Sequence, residues 1–149
     1  MVGVPCWEVH ADYGSWLSFQ FGKPRLEIRE ARPRSRVVTL KRRRVFVLGS
    51  SELRIEMAAW RLLRRGRLEC HSDLPRSSLR KAAVQLAGQK ITAVKMRPDN
   101  GGLEIRFEYG HQLLVAALGD AKRDDPLWHL RKGRRGLTMT KAGPLLWTE

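Results

Sequence analysis

Apolar and polar positions alternate along one stretch near the beginning of the chain and along another near its end. In "SWLSFQFG" the apolar residues are Leu17, Phe19 and Phe21, and in "LEIRFEY" the same period of two begins at Leu103. A period of two is typical of a strand with one buried face. In both stretches an aromatic-x-aromatic-Gly step leads into a polar turn and a second apolar run. We interpret this shared pattern as hairpin architecture rather than as a binding site.

The first stretch predicts a hairpin that turns at Gly22-Lys23-Pro24. Gly tolerates a positive φ, and Pro lacks the N–H that a sheet ladder needs, so both residues favour a turn. The following "RLEIRE" alternates again and predicts a returning strand with Leu26 and Ile28 on the buried side.

Two short apolar runs, "VVTL" and "VFVL", come next and are separated by a basic tetrad at residues 41–44. They predict a second hairpin with the tetrad at its exposed tip. We expect the chain to break after it, at Gly49-Ser50-Ser51.

The stretch 53–65 fits two structures. Leu53, Ile55 and Met57 alternate as in a strand, whereas "MAAWRLLRR" contains good helix formers. We favour a strand, which contains Trp60, because Gly66 followed by "RLEC" resembles the far side of a turn.

A helix is predicted within "SDLPRSSLRKAAVQLAGQ". Its apolar face recurs at spacings of three and four and consists of Leu79, Ala82, Ala83 and Leu86. Pro75 suits the first turn, and Gly88 stands where a left-handed C-terminal residue belongs. We expect the cap to come from Ser72, Asp73 or Ser77.

Three strands in a meander are predicted next, from "KITAVKMRP" through a "DNGG" turn to "LEIRFEY" and "QLLVAAL". A polar loop and the segments "LWHL", "GLTMT" and "PLLWT" follow and predict a last hairpin. The whole pattern predicts an α+β fold in one domain, residues 1–149, with a mainly antiparallel meandering sheet of about seven to ten strands and one central α-helix.

The net charge of the chain is the feature that says most about its function. The chain has 29 basic residues against 15 acidic ones, a net charge of +14, with 21 Arg and 8 Lys. A field of this size attracts polyanions and speeds their association. Three interpretations follow: a nucleic-acid contact, an acidic protein partner, or a basic surface that is merely solvated.

The candidate binding residues form four basic clusters and one aromatic position. The clusters are Arg32, Arg34 and Arg36; Lys41, Arg42, Arg43 and Arg44; Arg61, Arg64, Arg65 and Arg67; and Arg131, Lys132, Arg134 and Arg135. Trp16 is added because it occupies the polar phase of its predicted strand, where its ring could stack on a base. Whether the clusters converge on one face is left open by the sequence.

Catalytic and cofactor chemistry have little support in this sequence. Cys6 and Cys70 are 64 positions apart, and we expect free thiols, with Cys70 buried as a small apolar residue. The four His are isolated from one another, so no metal template is formed. The adjacent thiol and imidazole of "CHSD" would point to opposite faces of a strand. No P-loop spacing occurs. We therefore expect no enzyme activity, no cofactor and no metal.

Targeting features are also lacking. No apolar stretch approaches the length of a membrane span, and the first fifteen residues do not have the regions of a signal peptide. We expect a cytoplasmic protein that does not associate with membranes.

Several motifs together resemble a group of small uncharacterised bacterial proteins. They are the opening "GSWLSFQFGKP", the strand that contains Trp60, a short helix that ends in Leu-x-Gly, and "RFEYG". The resemblance extends from about residue 14 to residue 128. The present chain is more basic than that group, and its central strand is poorer in Trp, Tyr and Cys. The resemblance implies no activity, although such small proteins are similar in character to immunity or antitoxin proteins.

The function that these observations favour is a non-enzymatic binding module. Its basic surface would contact an acidic macromolecule, with nucleic acid as the first candidate. The alternative is an immunity- or antitoxin-type protein that binds and blocks a partner protein, with charge supplying steering and specificity.

Overall fold

Eleven strands and one α-helix are found in the computed structural model, which describes residues 1–97 and 100–148. The strands are β1 (Cys6–Ala11), β2 (Leu17–Arg29), β3 (Arg44–Ile55), β4 (Ala58–Arg64), β5 (Arg67–His71), β6 (Ile91–Arg97), β7 (Gly102–Phe107), β8 (His111–Ala117), β9 (Pro126–Lys132), β10 (Arg135–Thr140) and β11 (Gly143–Thr148). Helix α1 spans Arg76–Leu86, and a short 3-10 helix spans Val38–Lys41. The predicted α+β class is confirmed.

The strands form two antiparallel sheets instead of the one sheet that was predicted. The first has the order β1-β2-β3-β9-β10-β11, and the second has the order β5-β4-β8-β7-β6. The chain leaves the first sheet after β3, builds the second, and returns when β9 pairs with β3. That return brings together residues more than 70 positions apart, which local alternation does not reveal.

The core lies where the buried faces of the two sheets meet. Phe19 of β2 stacks on Phe107 of β7 with 6.5 Å between ring centroids. Two buried indoles connect the sheets to neighbouring loops: Trp60 Nε1 donates to the Ser15 carbonyl at 2.6 Å, and Trp128 Nε1 donates to the Gly101 carbonyl at 2.9 Å. Burial of the indole N–H groups is therefore compensated by hydrogen bonds.

Helix α1 packs on β1 with the predicted face. Its four buried residues are Leu79, Ala82, Ala83 and Leu86. Gly88 follows the helix with φ +87°, and its N–H donates to the Cys6 carbonyl at 2.6 Å. The capping prediction was wrong: the helix begins after Pro75, and among the described residues no side chain caps it. Within residues 1–97 and 100–148, no helix is long and apolar enough to cross a membrane.

Most of the other local predictions are confirmed. The stretch 53–65 is strand rather than helix, but it is divided: it contains the end of β3, a break at Glu56-Met57 and all of β4, and Arg65-Gly66 turns β4 into β5. The meander appears as β6, β7 and β8, and the last hairpin as β10 and β11. Tyr109 differs, because β7 ends at Phe107 and leaves Tyr109 exposed in the turn. Asp99 of the "DNGG" turn lies outside the described residues.

The first two predicted hairpins were wrong. Gly22-Lys23-Pro24 is a β-bulge inside the continuous strand β2, and Gly49-Ser50-Ser51 lies inside the continuous strand β3. Gly22 has φ +72°, so it absorbs one extra residue without turning the chain back.

The strand that was predicted at "VVTL" is mostly the 3-10 helix Val38–Lys41. The basic tetrad therefore runs from the last residue of this 3-10 helix, Lys41, to the first residue of β3, Arg44, and is not a tight turn between strands at "VVTL" and "VFVL". Leu26 and Ile28, predicted to be inward, are 70% and 58% exposed.

Candidate nucleic-acid interface

Beyond the bulge, β2 and β3 extend past the sheet as a two-stranded ribbon. The pairing of β1 with β2 ends at Phe21, and that of β9 with β3 ends at Ser51. Beyond the bulge, residues 24–29 of β2 pair with residues 44–49 of β3, and neither segment has a second strand partner among the described residues. At about 3.4 Å per residue the ribbon is about 20 Å long. We call the ribbon and its connecting loop, residues 24–49 in all, the arm.

Hydrogen bonds from the body of the protein hold the base of the arm. Trp7 Nε1 donates to the Gly22 carbonyl at 3.0 Å, and the Gly49 N–H donates to Gln20 Oε1 at 2.8 Å. On the other edge, the Gly133 N–H donates to the Ser50 carbonyl at 3.0 Å. Gln20 is buried, so it is a structural acceptor for the bulge rather than a surface residue as its alternation predicted. The direction of the arm is therefore set by the body.

One face of the arm is aliphatic. Leu26 lies opposite Val47 and Ile28 opposite Val45, so all four side chains point to the same side. Val45 and Val47 are 57% and 47% exposed. On β3 they have the same phase as the buried Ile55, because alternate residues of a strand share a face. The aliphatic face is thus the core face of the sheet continued beyond the core.

The opposite face of the arm is basic. Arg29 and Arg44 lie opposite each other, and their guanidinium carbons are 4.6 and 5.2 Å from the centroid of the Phe46 ring. This double cation–π contact orders both side chains. Glu27 forms an ion pair with Arg29 at 2.6 Å, while Arg25 is exposed on the same face.

The loop at the end of the arm brings two predicted clusters together. The Arg32 N–H donates to the Leu40 carbonyl at 2.7 Å, which closes residues 32–40 into a compact loop. Arg43 forms an ion pair with Glu30 at 3.0 Å, across the base of the same loop. The first cluster (Arg32, Arg34 and Arg36) and the second (Lys41, Arg42, Arg43 and Arg44) therefore share one tip.

Charge is concentrated on the arm. Residues 24–49 contain nine basic and two acidic residues, a net charge of +7, which is half of the chain's +14. Both acidic residues are paired, with Arg29 and Arg43. The other seven basic residues have no acidic partner among residues 1–97 and 100–148. They are Arg25, Arg32, Arg34, Arg36, Lys41, Arg42 and Arg44.

The cluster at 131–135 divides into two parts. Lys132, Arg134 and Arg135 are exposed at the turn between β9 and β10, beside the base of the arm. Arg131 is largely buried and forms an ion pair with Glu52 at 3.2 Å. Its charge is committed to the body, so Arg131 is removed from the candidate interface.

The remaining cluster lies in the second sheet, on β4, on β5 and in the turn between them. Its residues are Arg61, Arg64, Arg65 and Arg67. Arg64 faces Glu69 at 3.9 Å, and Arg61 lines an open cleft of about 390 Å³ on the outer face of that sheet. No hydrogen bond or ion pair between described residues joins this cluster to the arm. Two of the four predicted clusters and three of the four residues of the cluster at 131–135 are thus neighbours, and the cluster on β4 and β5 is separate.

Trp16 is not placed as predicted. It precedes β2 in the loop from β1, at the end of β2 that is opposite the arm. Its N–H donates to the Tyr13 carbonyl at 3.2 Å, and its ring meets the Tyr13 ring edge-on with 6.4 Å between centroids. The half-buried indole completes this turn and is remote from the basic tip.

A second cleft, of about 270 Å³, lies on the outer face of the first sheet. Its polar side chains pair mainly with one another. His129 Nδ1 is 2.7 Å from Thr138 Oγ1, and His129 Nε2 is 3.3 Å from a Glu56 carboxylate oxygen. The His129 hydrogen bond holds the pKa of Glu56 below its ordinary value. Every one of these groups already has a partner, and the part of the chain that is described contains no cluster of three metal-ligating side chains.

No protein family, curated protein or solved structure that was compared matches this chain. The resemblance to a group of bacterial proteins therefore stays a prediction.

Several residues of the interface were missed by sequence reasoning. Arg25 and Arg29 were predicted on the exposed side of a returning strand but not as binding residues, and Leu26 and Ile28 were predicted to be buried. One signal was available. Two amphipathic strands flank the most basic segment of the chain. A ribbon that extends beyond its sheet combines these two features, an alternating strand on each side and a charged loop between them.

Proposed function

We propose that the protein is a non-enzymatic module that binds nucleic acid through the arm. The observation that supports this function is the concentration of charge: seven basic side chains of one projecting element have no described acidic partner. The projection of the arm is important because a ribbon with two free edges can contact phosphates of both nucleic-acid strands, whereas a flat basic surface contacts the phosphates on only one side.

The contact would be made mainly with phosphates. Arg presents a planar fork of donors that matches a phosphate, and the basic residues of the arm for which the described structure gives no acidic partner are all Arg apart from Lys41. Seven phosphate contacts would give a salt slope of about −6 in log K against log salt. Affinity would then fall about a thousandfold or more between about 50 and 200 mM salt.

A partner protein of the immunity or antitoxin type is the second candidate. The aliphatic face of the arm is the observation that favours it, because exposed apolar surface of this kind is common at protein interfaces. Such a complex would depend much less on salt than a contact with many phosphates.

Fluorescence anisotropy with labelled duplex DNA, single-stranded DNA and RNA over a salt series tests the first proposal. The informative variant carries Arg32→Gln, Arg34→Gln and Arg36→Gln, all exposed at the tip. Loss of three phosphate contacts should reduce the salt slope by about 3. The matched control changes three exposed basic residues of α1 and removes the same charge: Arg76→Gln, Arg80→Gln and Lys81→Gln.

The control variant should keep a slope close to that of the unmodified protein. Equal effects of the two triple variants would show that net charge alone, and not the arm, attracts the polyanion. Weak binding of the unmodified protein at every salt concentration would reject the nucleic-acid function and leave the protein partner.

A further inference from the structure

We propose that the arm lies lengthwise in the major groove of B-form DNA, with its aliphatic face against the methyl groups of thymine. This inference rests on the proposed nucleic-acid function and specifies the class of nucleic acid and the way it is read. The aliphatic face consists of Leu26, Ile28, Val45 and Val47.

The shape of the arm favours this groove. Two strands lie about 4.8 Å apart, and with side chains such a ribbon fits the major groove of B-DNA, which is about 12 Å wide. The minor groove of B-DNA is about 6 Å wide and is too narrow for it. The major groove of A-form RNA is deep and narrow and does not admit side chains. Both edges of the ribbon lack strand partners among the described residues, so their backbone is not covered by a neighbouring strand.

The chemistry of the face favours thymine. Its four side chains have no donor or acceptor, so they cannot pair with polar base edges, and they have no ring that could stack on an unpaired base. The C5 methyl group of thymine is the apolar group on the major-groove edge of the base pairs. Residues two apart on a strand, such as Val45 and Val47, are about 6.8 Å apart, which matches two steps of about 3.4 Å along the DNA.

The remaining side chains then meet the groove walls. Arg25 on β2 and Arg44 on β3 extend from the opposite face, one at each edge of the ribbon, and neither has an acidic partner among the described residues. Long Arg side chains at the two edges reach the phosphates on the two sides of the groove. The same charge disfavours a second copy of this chain as the occupant of the aliphatic face, because two arms of net charge +7 repel each other.

The test compares two duplexes of one A·T-rich sequence, one with thymine and one with deoxyuridine in its place, which lacks only the methyl group. One lost methyl contact reduces affinity by about a factor of four, and two by about fifteenfold. We expect the deoxyuridine duplex to bind about four- to fifteenfold more weakly with an unchanged salt slope. An RNA duplex of the same sequence should bind more weakly than either.

The variant that tests the face carries Leu26→Ser, Ile28→Ser, Val45→Ser and Val47→Ser. All four positions are exposed, so the substitutions should cost little stability, and Ser has no methyl group to place against thymine. This variant should bind the thymine and deoxyuridine duplexes equally. Val84→Ser on α1, at a position 72% exposed, is the control and should keep the discrimination.

Each result has one meaning. Equal binding of the two DNA duplexes by the unmodified protein, with a steep salt slope, overturns the thymine inference and leaves the proposed function intact. Equal or tighter binding of the RNA duplex overturns the choice of groove. Weak binding of every nucleic acid at low salt overturns the proposed function, and this inference with it.

Discussion

A single methyl group at Gly49 should disrupt the base of the arm. Gly49 is buried, and a Cβ added to it would meet the Phe21 carbonyl oxygen and lie 2.7 Å from the Phe21 nitrogen and 2.8 Å from the Ser51 carbonyl oxygen. These neighbours are backbone atoms, so the Gly49→Ala substitution has to spread β2 from β3 at the bulge. We expect it to lower the free energy of unfolding by about 1–3 kcal/mol, the usual cost of overpacking.

Urea unfolding followed by tryptophan fluorescence measures this effect. Each kcal/mol lost should also lower the melting temperature by roughly 2–4 °C for a chain of this size. Gly119→Ala is the control, because a Cβ there meets nothing within 4 Å and the residue lies in an exposed loop. The control should stay within about 0.5 kcal/mol of the unmodified protein. Equal stability of the two variants would contradict the close pairing that we describe at the bulge.

Two further predictions concern buried titratable groups. His111 is 5% exposed, its Nδ1 is 2.9 Å from Gln89 Nε2, and burial lowers its pKa although Glu69 opposes this shift. The unfolded chain therefore binds the proton at a higher pH than the folded one. Stability should fall as pH drops below about 6.5, by at most about 1.4 kcal/mol per pH unit. Urea titrations from pH 7.5 to 5 should show a flatter dependence of the unfolding free energy on pH for His111→Gln, and the same dependence in both proteins would refute the lowered pKa of His111. Burial raises the pKa of Cys6 to about 12 and that of Cys70 above its ordinary value, so a thiol reagent at pH 8 should label both slowly in the native protein and rapidly in urea. Fast labelling of the native protein would show that the thiols are accessible.

The parts of the fold that could be predicted are those in which the pattern and its partner are close in the chain. The face of α1 and the meander from β6 to β8 depend on contacts within one or two elements, and both were predicted. The second sheet was missed because β9 pairs with β3, and no property of either strand indicates a partner so far away.

The bulge was missed for a different reason. Gly22 and Pro24 are the residues that a turn requires, and their chemistry is the same in a bulge. The chain forms a bulge rather than a turn when the residues after it keep pairing with the same strand as the residues before it. Here residues 24–29 keep pairing with β3. A turn residue therefore predicts a local deviation of the backbone but not its size.

The candidate site was predicted in part. Composition located the basic clusters correctly as exposed segments at 32–36 and 41–43, because runs of like charge avoid burial. The same reasoning failed for Arg131, whose neighbour across the sheet is Glu52. A charge is removed from a surface by its cross-strand partner, and that partner is set by strand register, which the sequence does not show.

The positive charge of the arm and its exposed aliphatic face depend on each other. A ribbon with two free edges and an aliphatic face is the kind of element through which copies of a protein pair and aggregate. In the described structure the aliphatic face adds nothing to the core, and the charge of +7 on the same element keeps free copies apart. A polyanion removes that repulsion when it binds, and at the same step it can cover the aliphatic face. A partner without negative charge would have to cover that face while leaving beside it seven cations that have no acidic partner among the described residues. This difference is why we place nucleic acid before a protein partner.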